Sequence, residues 1–228
     1  MYKPHYSIRP PESDTIIWHY FSLAKFLSML NNQSLYFTRA DRFLDSHEGR
    51  LSNKDTQFLD KVIPNLSDKI SDELMGHFYI NCWTINKNEL YLMWDTYSSL
   101  EEGVAIQSTV ENLIDSLDST DKREIVISKV SYMDYHDQYT FDKTDGDANL
   151  YAPYFCKRLY FQQENELRLV YYDYEKKDNI YGLLFKVSLD TLIDNVWVSP
   201  KASDWFRKLI DKELEIHGIK RLTNKSQI

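Results

Sequence analysis

Phe161-Gln162-Gln163-Glu164-Asn165-Glu166-Leu167-Arg168-Leu169-Val170 sets two carboxylates and a guanidinium at every second position. Strand side chains alternate between faces, so a strand here turns Glu164, Glu166 and Arg168 to one side and Asn165, Leu167 and Leu169 to the other. Apolar, aromatic runs flank it: Tyr154-Phe155 and Leu159-Tyr160-Phe161 before, Val170-Tyr171-Tyr172 after. Such flanks place the strand deep in the fold, where a charged face is costly unless it is paired or lines a cleft.

Working outward, residues 1–14 read as an extended arm before a strand at Thr15-Ile16-Ile17-Trp18-His19-Tyr20. Ser22 is placed to cap a helix whose Leu23, Phe26, Leu27 and Leu30 form one apolar stripe. A short strand around Leu35 and Phe37 leads into the charged loop Arg39 to Gly49, and residues 50–76 read as a helical insertion broken at Pro64. Strands follow at Phe78–Thr84 and Val104–Ile106, with a helix carrying Leu90, Met93, Trp94 and Tyr97 between them. Thr109 caps the next helix, and Ile125–Tyr132 is a further strand. Residues 133–149 read as a mobile acidic loop and about Leu150 to Tyr160 as a helix. Tyr181–Val187 is predicted to pair as a hairpin with the charged strand, across the turn 175–179. Ser188 starts a short helix, Val196–Val198 is a strand, and Ser199-Pro200 opens a helix to about His217. This order predicts a single α+β domain over 1–228, a mixed or antiparallel sheet with flanking helices.

The chain has 228 residues and a formal net charge of -8, which argues against wide, non-specific nucleic-acid binding. With six glycines and neither a Walker loop nor a GxGxxG string, the nucleotide-binding modes that need them are set aside. Cys82 and Cys156 are far apart and form no CxxC pair, which fits a reducing, cytoplasmic setting. No apolar run reaches the length of a membrane helix, and no export signal opens the chain.

The residues able to carry chemistry are few. His19 ends the first strand. Asp41, Arg42, Asp45, His47 and Glu48 share a loop with enough oxygen for a cation, but without the spacing of a defined metal loop. Trp83, Trp94 and Tyr97 offer rings for a flat ligand, or simply a heavy core. Lys157 and Arg158 are placed to balance the acidic strand or to bind a phosphate.

In order, Trp18-His19-Tyr20, Ser34-Leu35-Tyr36-Phe37, Arg39-Ala40-Asp41, Asp45-x-x-Glu48-Gly49, Cys82-Trp83-Thr84, Met93-Trp94-x-x-Tyr97, Gly103-Val104-Ala105-Ile106, Lys157, Glu164-x-Glu166-x-Arg168 and Val198-Ser199-Pro200 resemble the bacterial domain-of-unknown-function family twenty-nine seventy-one. The resemblance implies no reaction. A more distant one is to ADP-ribosyltransferases, whose NAD cleft uses three elements in chain order. His19 is similar to the first, Cys82-Trp83-Thr84 occupies the place of the second, and Gln162-x-Glu164 or Glu164-x-Glu166 resembles the third. The second departs from the Ser-Thr-Ser form, and two glutamates stand where one is expected.

This likeness implies NAD-dependent ADP-ribosyl transfer or NAD hydrolysis on a small-molecule cleft. His19, Arg39, Trp83, Thr84, Trp94, Tyr97 and Arg168 would hold NAD, and Glu166, with Glu164 and His19, would carry the chemistry. Two other readings stand beside it. One is a metal-dependent hydrolase or nuclease with Asp45, Glu48, Glu164 and Glu166 around a cation. The other is a non-catalytic ligand- or partner-binding module, as in phage defence, whose Arg39/Asp45/Glu48/Arg168 network is structural.

Overall fold

The computed structural model describes residues 1–5, 8–61, 63–64, 66–140, 150–175 and 180–228. Its strands are β1 (Ile16–Ser22), β2 (Ser34–Arg39), β3 (Phe78–Ile85), β4 (Gly103–Thr109), β5 (Ile125–Lys129), β6 (Ser131–Met133), β7 (Cys156–Arg158), β8 (Glu166–Tyr172), β9 (Gly182–Lys186), β10 (Asn195–Val198) and β11 (Thr223–Lys225). The helices are α1 (Leu23–Asn32), α2 (Asn53–Asp60), α3 (Leu66–Met75), α4 (Tyr91–Tyr97), α5 (Val110–Ser116), α6 (Leu189–Leu192) and α7 (Asp204–Ile216). The class is α+β.

Nine strands form one sheet in the order β11-β10-β4-β1-β3-β2-β9, with β8 on β3 and β5 on β8. All of these pairings are antiparallel except that of β10 with β11. β3 is the branch point: β8 follows it from Phe78 to Thr84, while its other edge is shared by β1 at Thr84 and Ile85 and by β2 at Tyr79 and Ile80. β6 and β7 make a separate parallel pair.

Alternation sorts the residues. Ile17 and Phe21 of β1, Leu35 and Phe37 of β2, Tyr79 and Trp83 of β3, and Leu167 and Leu169 of β8 face the main core, under α1, α5, α6 and α7. The opposite face carries two smaller clusters. One joins Phe78, Ile80 and Val170 to Ala40, Met75, Tyr154 and Phe155, and the other joins Trp18, Tyr20 and Ala105 to Met93 and Trp94 of α4. Thr109 caps α5 as predicted, and Ser188, expected to start a short helix, caps α6, their hydroxyls accepting from Asn112 and Thr191 N–H. Ser22 occupies the α1 cap position without a side-chain bond.

Three local expectations are overturned. Instead of a helix from Leu150 to Tyr160, a 3-10 turn at Ala152–Phe155 precedes β7, because Cys156, Lys157 and Arg158 pair with β6. The predicted hairpin does not form: β8 has both edges filled, by β3 and β5, so β9 joins β2 instead. The last helix starts at Asp204, capped by Ser203, and Ser199 accepts the Gly103 N–H. Within the predicted mobile loop 133–149, residues 141–149 lie outside the described residues, as do 176–179 of the expected turn. Among the described residues no helix is long and apolar enough to cross a membrane.

Candidate functional site

β8 begins with a change of backbone. Asn165 adopts a left-handed conformation (φ 42°) between the 3-10 turn Leu159–Glu164 and the strand, and its side-chain amide donates to the Ile85 carbonyl at 2.6 Å. Glu164 therefore reaches the site from the turn, not from the strand as expected. Only Glu166 and Arg168 are strand neighbours on the charged face. Register sets Glu166 opposite Thr84, and Arg168 opposite Cys82 on one side and Ser128 on the other.

Arg168 is fully buried. Its Nε donates to Glu166 Oε2 at 2.6 Å, its Nη2 to Glu48 Oε1 at 3.0 Å and its Nη1 to the Tyr154 carbonyl at 2.9 Å, with Glu48 Oε2 2.8 Å from Nη1. Lys157, inside the aromatic run on β7, brings its ammonium 2.6 Å from Glu164 Oε2, 2.6 Å from Glu166 Oε1 and 3.3 Å from Glu48 Oε1. Glu48 is presented by a loop that closes at Gly49 (φ 72°), where a Cβ would lie 2.6 Å from the Tyr154 ring. A side chain at position 49 would push that ring, and with it the carbonyl that holds Arg168.

Three buried carboxylates thus share two cations, and one carboxylate is left uncompensated. Glu164 resolves the mismatch. Burial, then its hydrogen bond with Glu166, pushes its carboxyl up to about 7. Burial also opposes ionisation of Glu166, but Arg168, the bond from Glu164 and Lys157 outweigh it and hold that carboxyl well below the usual range. Lys157 and Arg168 are both raised, because their carboxylates outweigh desolvation. The Tyr97 hydroxyl donates to Glu164 Oε1 at 2.9 Å, and Tyr97 is 42% exposed, so it is the cluster's link to solvent. Tyr132 accepts the Glu166 N–H at 2.9 Å.

The structure thus brings together Glu48, Glu164, Glu166, Arg168 and Tyr97, with Thr84 alongside in register. Asp45 lies at the edge, 2.8 Å from Arg158; burial raises its carboxyl, but the His47 N–H and Arg158 bonds prevail and lower it. The four carboxylates expected around a metal do not meet: Lys157 fills the focus of three of them, and Asp45 turns to Arg158. Among the described residues no group of three or more His, Cys, Asp and Glu is arranged to hold a metal.

His19, Trp83 and Arg39 are not brought to this cluster. His19 shares the parity of Ile17 and Phe21, so it points to the core face, opposite Glu166. Its ring lies 4.2 Å from Phe21 and 5.0 Å from Trp83, it bonds the Cys82 carbonyl, and burial pulls its pKa down to about 3. Trp83 is buried on that same face and donates to Asn81 Oδ1 at 2.7 Å. Arg39, with the parity of Leu35 and Phe37, binds Asp41 at 2.7 and 2.9 Å. Trp94 lies on the charged side of the sheet but is fully buried, with its ring against Tyr20 at 5.0 Å and its Nε1 donating to Glu89.

Lys157 is the residue whose role sequence reading understated. A lone ammonium within the run Tyr154–Phe161 was its signal, since a buried lysine needs carboxylate partners. No family model matches the chain, and no curated protein does.

Proposed function

We propose that the chain cleaves the nicotinamide–ribose bond of NAD, by ADP-ribosyl transfer or hydrolysis, with Glu166 as the working carboxylate and Glu164 as its proton-bearing partner. The observation that carries this reading is the register of β3 on β8. It sets Thr84, of the second motif, opposite Glu166, of the third, on one face, and β1 with the first motif is the next strand along. In this reading Tyr97 replaces His19 as the residue that meets the ligand, because His19 faces the core.

The chemistry suits the pair. As the C1′–N bond breaks, its electrons leave with nicotinamide and positive charge grows on the ribose, which an ionised Glu166 stabilises. The acceptor oxygen then bonds to C1′ and gives its proton to Glu164 in its ionised form, which a carboxyl with a pKa of about 7 supplies at neutral pH by first releasing its own proton to solvent. NAD must displace the Tyr97 hydroxyl to approach Glu164. With this reading we also propose membership of family twenty-nine seventy-one and a cytoplasmic location, which the two free cysteines suit.

A second reading rests on the direct pairing of Arg168 with Glu48 and Glu166: a binding module whose ionic cluster is structural. Incubation with NAD separates the two. Wild type is expected to release nicotinamide, alone or with cell extract supplying acceptors, and Glu166→Gln to lose at least about a hundredfold. No release by wild type under either condition leaves the module.

A further inference from the structure

We propose that the groove between α7 and the segment after it is a docking site for an extended peptide in which acidic and apolar residues alternate. The inference is independent of the NAD reading. Gly218 (φ 72°) ends α7, and the Gly218 and Ile219 N–H groups donate to the Glu215 and Leu214 carbonyls at 3.0 and 2.9 Å. The chain then doubles back along the helix toward β11. The open groove this leaves has a volume of about 770 Å³.

Its lining is cationic within an acidic chain. Four cations, Lys208 and Lys212 of α7 with Lys220 and Arg221 of the returning segment, face two carboxylates, Asp211 and Glu215, while the whole protein carries -8. Asp211 is already engaged, its Oδ1 accepting the Thr223 N–H and hydroxyl at 2.8 Å each. Lys208, Lys212 and Lys220 have no ion-pair partner among the described residues, and Arg221 has a long ion pair, 3.7 Å, with Asp190 beside two weak bonds to the Lys220 and Asp190 carbonyls at 3.4 and 3.5 Å. The helix dipole does not account for these cations, because it acts over the last turn and that turn of α7 holds no basic residue.

Charge complementarity therefore points to an anionic occupant, and the rest of the lining selects a peptide. No aromatic ring lines the groove among the described residues, so it lacks the stacking platform that single-stranded nucleic acids use. Its remaining carboxylate, Glu215, would repel a continuous phosphate chain. Leu222, 80% exposed, supplies an apolar contact beside Lys220 and Arg221. An extended peptide alternates its side chains, so carboxylates at every second position can meet the lysines while an intervening apolar residue at its end can reach Leu222.

The test is fluorescence anisotropy at low salt with a labelled peptide of alternating Glu and Leu, against a matched Lys-Leu peptide and an oligothymidylate. Wild type should bind the acidic peptide saturably and in preference to both others. The triple substitution Lys208→Glu, Lys212→Glu and Lys220→Glu, shown to be folded by circular dichroism, should weaken it at least about tenfold. The milder pair Lys208→Gln and Lys212→Gln should also weaken it and serves if the triple variant does not fold. Absence of saturable binding, an affinity that neither variant changes, or tighter binding of the oligothymidylate overturns the proposal.

Discussion

The two faces of β8 solve the same burial problem in opposite ways. On one, Leu167 and Leu169 are fully buried among Tyr79, Trp83 and Ile127, and dispersion and water exclusion suffice. On the other, Glu166 and Arg168 are equally shut away, and each is tolerated only because named partners satisfy it. The apolar face is forgiving, since a shortened side chain leaves a cavity. The charged face is not, since removing one partner leaves its neighbours ionised and dry. A purely structural role is served as well or better by apolar packing, and the proposed function gives a five-residue ionic cluster a reason to be there.

Truncation on each face has the largest effect. Arg168→Ala should cost about 3–5 kcal/mol by leaving Glu48 and Glu166 without their guanidinium. Leu169→Ala, one residue away on the other face, should cost about 2–5 kcal/mol, nearer the lower end if the core collapses onto the gap. Urea unfolding with an unchanged slope reads both. A cost for Arg168→Ala no larger than that of an exposed substitution would mean the cluster is not paired as described.

A smaller effect separates the faces by pH. Glu164 is raised in the folded protein, to about 7 from 4.5, so the native state holds more protons than the unfolded one between these values. Its contribution is therefore full below about pH 4.5 and is lost as pH rises through 7. His19 runs the other way. It is lowered to about 3 from 6.5, so it reduces stability as pH falls through that window. Because the two oppose each other, the difference between wild type and Glu164→Gln isolates the first. Wild type should lose more stability than Glu164→Gln between pH 5 and 8, and parallel profiles would remove the proton from Glu164.

Much of the fold is legible in local pattern. The stripe of Phe26 and Leu30 gives α1, Thr109 and Ser188 give their caps, and Leu167/Leu169 against Glu166/Arg168 gives the two-faced β8. Pairing is not legible, since nothing in Gly182–Lys186 says that β2 rather than β8 is its neighbour. Asn165 was readable as a residue that accepts left-handed backbone, which would have moved Glu164 off the strand. The side of His19 was also readable, because Ile17 and Phe21 flank it at two-residue spacing and share its face. The pairing of Lys157 with the acidic strand was readable as a charge balance, but its third partner, Glu48, was not, because it lies more than a hundred residues earlier in the chain.

Glu164 gives up its proton only near neutral pH, while Glu166, the other carboxyl of the pair, stays ionised. Carbon-13 NMR titration of glutamate side-chain carboxyls tests it directly. One resonance should titrate near pH 7 in wild type and be absent in Glu164→Gln, with the Glu166 signal still ionised at the acid end of the folded range. Titration of every glutamate below about pH 5, as for ordinary exposed carboxyls, would contradict it.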